Sequence, residues 1–327
     1  MKCLVVPAFM SLVFLACIER VQGQPSSAVG LTERPVTLVV PFAAGGGSDI
    51  LARLLAEKLR PLLKQTVIVD NKPGANGLIA SQFVEKSKPD GYTLMLGSNS
   101  THVIAPLLLP DKGAGEAFRK KFALISIVAD TPLVLAVGEQ STFRDLKEFI
   151  VSGTKELTFG TFGVHSSPHL MGALLAAQSG ARLVHVPYKG SAPAVTDLLS
   201  GQISSVFLTV AALSSYIDAR HVRALAVTGR ERVATLPDVP TFGECGVAGL
   251  ENPGWFAIFA PANLPDQVAA YLREKLREAL SQPDMRARLR ELGLQDAQLT
   301  PASEAQVWDE SVTRTREILQ RTGLDLN

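Results

Sequence analysis

Twice along this chain a short apolar run leads into a glycine-bearing loop and then into a helical pattern, and that order leaves few folds open. Val36-Thr37-Leu38-Val39-Val40 is continuously apolar between Pro35 and Pro41, as a parallel strand buried on both faces should be. Ile50, Leu51, Leu54, Leu55 and Leu59 then recur at helical spacing, and Pro61 is expected to end or kink that helix. A strand at 66–69, a helix at 78–86 and a strand at 92–96 complete a βαβαβ unit. The second unit has a strand at 157–159, a helix at 168–179 stopped by Gly180, a strand at 183–186, a helix at 193–199 and a strand at 204–208. Residues 122–137 read as a crossing between the units and 251–261 as the return. A last helix is framed by Thr300 as cap, Pro301 at its first position and Gly323 beyond its end. The class is therefore α/β: two lobes, each a mostly parallel sheet flanked by helices, joined by two hinge crossings. The expected division is 34–130 with 252–327 in lobe 1, and 131–251 in lobe 2. Ligands bind such sheets at the carboxyl ends of their strands.

Composition narrows the function classes. Hydrophobic residues make up 46% and charged residues 19%, enough for a sizeable core and against disorder. Lys+Arg 32 against Asp+Glu 31 leaves no basic excess for a nucleic-acid face. Residues 1–23 read as a cleaved export signal, with Lys2 before an apolar run from Cys3 to Cys17 that is short for a membrane span. Cleavage before Gln24 leaves Cys245 as the only cysteine, expected as a small buried filler. A lipidated Cys17 is the second reading, disfavoured by the bulky residues before Ala16. The mature chain is expected to be soluble and exported.

Two loops carry the chemistry. Pro41-Phe42-Ala43-Ala44-Gly45-Gly46-Gly47-Ser48-Asp49 lies between a strand and a helix, and its glycines let backbone amides face an anion at the helix N-terminus. No Lys follows them, so it is not a P-loop, and the third glycine of a dinucleotide fingerprint is missing. A plain tight turn is the alternative. Gly160-Thr161-Phe162-Gly163-Val164-His165-Ser166-Ser167-Pro168-His169 repeats the arrangement in the other lobe, with Ser167 as N-cap and Pro168 at N1. Together the loops form a pincer for one anionic ligand, and a β-branched side chain at Gly46 should obstruct its closure. His165 and His169 are four apart, yet Pro168 keeps His165 out of the helix and no Glu follows it, so a metal site is not expected. His102, His185 and His221 stand singly and read as structural. No Gly-x-Ser-x-Gly elbow supplies a hydrolase nucleophile.

The loop Pro41–Asp49 and the segments Val69-Asp70-Asn71-Lys72-Pro73-Gly74-Ala75-Asn76-Gly77, Pro89-Asp90-Gly91-Tyr92-Thr93-Leu94, Val186-Pro187-Tyr188-Lys189-Gly190 and Leu236-Pro237-Asp238-Val239-Pro240-Thr241 occur in this order. In order and spacing the chain resembles the exported solute receptors of tripartite tricarboxylate transporters, the Bug-type receptors. The resemblance implies a periplasmic, two-lobed binding-protein fold that closes on a small carboxylate, without cofactor or catalysis. It also implies delivery to a permease with a large and a small membrane subunit; the receptor is expected to be monomeric. Carried onto this chain, the ligand residues are Phe42, Ala44, Gly45, Gly46 and Asp49 in the first lobe, and Thr161, Gly163, Val164 and Ser166 in the second. Ser98 and Asn99, directly after a strand end, are expected to line the same cleft. Lys189 either neighbours it or is solvated. Phe162 and His165 depart from the small residues of relatives, and His165 is a candidate on the cleft rim that would favour a second ligand carboxylate when protonated. Residues 109–121 also depart and read as a surface connection. A periplasmic sensor component presenting the same acid to a signalling receptor is the alternative function. A two-lobed enzyme acting on a carboxylate lacks a nucleophile elbow.

Overall fold

The computed structural model describes residues 30–109, 113–152, 156–251, 254–295 and 300–324; the export signal read at 1–23 lies outside them. The first lobe runs β1 (Val36–Val40), α1 (Gly47–Leu63), β2 (Val67–Asn71), α2 (Leu78–Glu85), β3 (Thr93–Ser98), a π-turn (Ser100–Ile104) continuing as α3 (Ala105–Leu107), α4 (Ala114–Arg119) and β4 (Phe122–Thr131). Pro132 carries the chain into β5 (Leu133–Gly138), α5 (Leu146–Ser152), β6 (Leu157–Thr161), α6 (Ser167–Ser179), β7 (Leu183–Pro187), α7 (Ser191–Leu199), β8 (Ser205–Thr209), α8 (Val210–Asp218) and β9 (Val222–Val227). The return brings β10 (Gly254–Pro261), α9 (Asp266–Ser281), α10 (Pro283–Glu291) and α11 (Pro301–Thr322).

Each lobe holds one five-stranded sheet, in the orders β2-β1-β3-β10-β4 and β7-β6-β8-β5-β9. β1 pairs in parallel with β2 and β3, and β6 with β7 and β8. The strand that arrives from the other lobe, β10 in the first sheet and β5 in the second, is antiparallel to both neighbours. The stretch 122–137, read as a single crossing, is thus two strands, one in each sheet. The order reverses between β1 and β3 and between β6 and β8, so a crevice opens at the carboxyl ends of those strands.

Helices cover both faces of each sheet. In the first lobe Leu51, Leu55 and Leu59 of α1 and Leu272 and Leu276 of α9 pack on one face, while Val84, Phe118 and Trp308 cover the other. In the second, Phe149, Leu170 and Leu174 face α7 and α8 across the sheet. Pro61 does not end α1, which continues to Leu63 and closes on Lys64 in the left-handed region. Leu59 and Leu63 are buried, and their packing carries the last turn past the missing N–H. The expected surface connection before β4 contains α4, whose Phe118 is buried.

α11 begins as the sequence requires, with Thr300 and Ser303 forming a reciprocal capping box and Gly323 left-handed at its end. Its burial is shared: Trp308 joins the first-lobe core, whereas Ile318 joins the second. Residues 252–327, expected in lobe 1, therefore include a strap over lobe 2. Cys245 is exposed rather than a buried filler.

Candidate functional site

The chain leaves β1 at Val40 and turns through Gly45, whose φ of +82° suits glycine. α1 then starts from Gly46, which has no capping side chain, so the first N–H groups of the helix lack intrahelical acceptors. Asp49 braces this turn. Its Oδ2 accepts from Gly45 N and Arg53 Nε, both at 3.0 Å, and its Oδ1 from Asn71 Nδ2 at 3.0 Å. Asn71 Nδ2 also donates to Phe42 O at 3.0 Å. Burial alone would raise the Asp49 pKa, but the bonds from Arg53, Gly45 and Asn71 outweigh it and hold the carboxyl below its ordinary value. Asp49, expected at the ligand, is an ionised prop behind the loop, and it consumes the N–H of Gly45.

At the end of β3, Ser98 N donates to Thr101 Oγ1 at 2.9 Å. Asn99 Oδ1 accepts from Trp255 N at the start of β10, leaving the Asn99 amide group toward the crevice. The hydroxyls of Ser98 and Thr131, the latter ending β4, are buried without a partner among the described residues. A buried hydroxyl rarely stays unpaired, so these two are donors awaiting an acceptor.

The second lobe presents three helix starts. α6 begins one residue earlier than expected: Ser166 is the N-cap position and Pro168 falls in the first turn. Ser166 Oγ donates to Gly163 O at 2.6 Å instead of capping, and Thr161 Oγ1 donates to Gly163 O at 3.1 Å. Both hydroxyls tie the loop to itself. α7 starts at Ser191 after Gly190, and α8 starts after Thr209, whose Oγ1 accepts from Ala212 N at 3.3 Å.

The lobes are closed on one another. Ser100 and Ser167 hydroxyls lie 2.9 Å apart, and Ser167 N donates to Ser100 Oγ at 2.8 Å. Ala43 N donates to Lys189 O at 3.3 Å, and Asn76 Nδ2 donates to His165 O. Phe42 and Phe162 meet edge to face with ring centroids 4.9 Å apart.

An inner cavity of about 30 Å³ lies in the crevice, bordered by Phe42, Gly46, Gly47, Ser48, Ser98, Asn99, Ser100, Thr131, Ser167, Ser191, Thr209 and Trp255 among others. The N-termini of α1, α6, α7 and α8 all reach it, and none of its described lining residues is Lys, Arg or His. Positive potential therefore comes from helix ends, not side-chain cations.

Of the residues expected at the ligand, Phe42, Gly46, Ser98 and Asn99 border this cavity. Gly163, Val164 and His165 border a separate outer cavity of about 440 Å³, together with Lys189 and Tyr188. Ala44, Gly45, Asp49, Thr161 and Ser166 border neither. Ser48, Thr131, Ser191, Thr209 and Trp255 were missed. Ser191 two residues before Pro193 is a helix-start signal that could have been read; Thr131 and Trp255 carry no local signal at all.

The histidines also regroup. His169 and His185 stack with centroids 3.9 Å apart, so His185 is not isolated. His165 N donates to His169 Nδ1 at 3.1 Å, and Thr161 Oγ1 bonds His185 Nε2 at 2.7 Å. Burial, then repulsion from the neighbouring imidazoles, pushes His169 down to about 4 and His185 to about 3. Burial lowers His165 as well. His165 has left-handed backbone at φ +59°, and it borders the outer cavity and not the inner one. His102 is structural as expected, stacked on Phe259 at 3.7 Å.

Known proteins with this architecture are close in sequence. The chain matches the family model of the tripartite tricarboxylate transporter family receptor over residues 51–324. It is 35% identical over 298 residues to a protein in the tcbD-tcbE intergenic region of a Pseudomonas species, covering 90% of this chain and 88% of that one. The periplasmic binding protein BugD superimposes with a TM-score of 0.83 at 33% identity, over 90% of this chain and 99% of that structure. An R. palustris protein, Rpa4515 with adipate, gives 0.84 at 30% identity, over 90% and 98%. With matches spanning almost the whole described fold, the chain belongs to the tripartite tricarboxylate transporter receptor family, in its Bug-type branch.

Proposed function

We propose that this chain is an exported, periplasmic receptor that closes on a small carboxylate between its lobes. It delivers the acid to a membrane permease of large and small subunits, acting as a monomer and without turnover. One observation carries the reading: four helix N-termini and two unpaired hydroxyls meet at a cavity with no cationic side chain among its described lining residues. Helix N-termini attract anions through free N–H groups and the positive end of the dipole. A carboxylate accepts about four hydrogen bonds, and the N–H groups of Gly47 and Ser48 with the hydroxyls of Ser98 and Thr131 supply four donors. Ser191 and Asn99 lie beside them at the same cavity. The adipate held by a relative of similar fold supports the same ligand class here.

Thermal unfolding with mono-, di- and tricarboxylates and aromatic acids tests the proposal. At about a hundredfold excess over Kd a specific acid should stabilise the protein by roughly 2.7 kcal/mol. Stabilisation by neutral solutes but by no acid would refute it. Deletion of the gene should abolish uptake of the same acid; retained uptake with lost transcriptional induction would favour the sensor role.

A further inference from the structure

Phe42 and Phe162 are the only aromatic rings bordering both cavities among the described residues: the inner one of about 30 Å³ and the outer one of about 440 Å³. One ring comes from each lobe, and their edge-to-face contact at 4.9 Å stands between the two spaces. The chemistry differs on the two sides. Inside are helix N-termini, neutral hydroxyls and the apolar surfaces of Leu133, Trp255 and Phe256. Outside, Lys189 and His165 are among the lining residues. The inner space suffices for one carboxylate and little more, being two to three times what a single water needs.

We infer that Phe162 sets the length and charge of the acid this receptor accepts, restricting the closed cleft to a compact monocarboxylate with an apolar body. The inference rests on the carboxylate-receptor reading above. A first carboxylate satisfies the inward N–H groups and the hydroxyls of Ser98 and Thr131. A second one inside would be set against Leu133, Trp255 and Phe256, with the donors that hold the first already taken and no cationic side chain to pair, and an unpaired buried charge is strongly disfavoured. To reach Lys189 it would have to pass between Phe42 and Phe162 and break their contact. Removing the Phe162 ring joins the two spaces and brings the Lys189 side into the ligand's reach.

The test is calorimetric titration of the mature full-length protein with acetate, propionate and isobutyrate against succinate and adipate. The wild type should bind at least one monocarboxylate tenfold or more tighter than either diacid. Phe162→Ala should gain tenfold or more for adipate, and Lys189→Gln in that background should remove the gain. Lys189→Gln alone should leave monocarboxylate affinity unchanged. Should Phe162→Ala misfold, judged by circular dichroism, Phe162→Leu keeps apolar bulk without the ring contact and should show a smaller shift toward diacids. A wild type that prefers succinate or adipate overturns this inference and leaves the carboxylate reading standing. So does an unchanged preference in the folded Phe162 variants. Failure of every acid to bind overturns both.

Discussion

Gly47→Ala separates lobe closure from lobe folding. Gly47 is the first residue of α1, with ordinary helical backbone, so alanine adds no strain within its own lobe. A Cβ there would come under 3.0 Å from Thr209 Oγ1 and within 3.4 Å of the Ala211 Cβ, both on the opposite lobe. Two relaxations are available. Thr209 can rotate away, which surrenders its cap on Ala212 N and costs about 1 kcal/mol. Alternatively the lobes stay apart, which forfeits the Ser100–Ser167 and Asn76–His165 bonds at about 0.5–1.5 kcal/mol each. The loss lies between about 1 and 3 kcal/mol, a roughly five- to 150-fold weakening of Kd. Gly46→Ala is the control: its Cβ would sit at ordinary contact distance, 3.5 Å from Ser191 Oγ, so affinity should change by less than about threefold. Calorimetry gives Kd, the unliganded melting temperature verifies folding, and small-angle scattering with ligand reports closure. Equal affinities for wild type and Gly47→Ala would refute the idea that this contact gates closure, and a larger loss at Gly46 would return the obstruction to the position the sequence suggests.

Because the inner cavity is served by helix ends in a shielded crevice, affinity should fall by less than about threefold between low and high salt; a tenfold loss would reveal a cationic side chain at the ligand. Asp130, beside the first crossing, is pushed up to about 6 by burial. A carboxyl raised in the folded state weakens stability as pH climbs from about 4 through 6, so Asp130→Asn should stabilise by about 2 kcal/mol at pH 7.5, allowing for partial exposure. The gain should vanish at pH 4, and equal gains at both pH values would contradict the assignment. His169 and His185 titrate below their unfolded value of about 6.5. Their contribution is therefore complete above pH 6.5 and is lost as pH falls toward 4 and then 3. Replacing both with Gln should flatten melting temperature against pH over that window; an unchanged slope would place the acid sensitivity elsewhere.

By itself the sequence determines what is settled within a few residues of chain. Val36–Val40 is a strand because an unbroken apolar run between prolines has no other economical burial. α11 begins at Thr300 and stops at Gly323 because capping and left-handed termination are local hydrogen-bond chemistry. The two glycine loops announce an anion site for the same reason. Pro61 marks the limit of such rules, since burial of Leu63 across the tertiary interface overrides its local effect. What only the tertiary structure decides is convergence. Thr131, Ser191, Thr209 and Trp255 lie far apart in sequence, and the strand orders β2-β1-β3 and β7-β6-β8 bring them to one crevice. Asp49 turns from ligand contact to brace because Asn71, on a neighbouring strand, claims its second oxygen. Phe42 and Phe162 divide the cleft only because the two lobes close, and no spacing along the chain encodes a contact made between rings on opposite sides of a hinge.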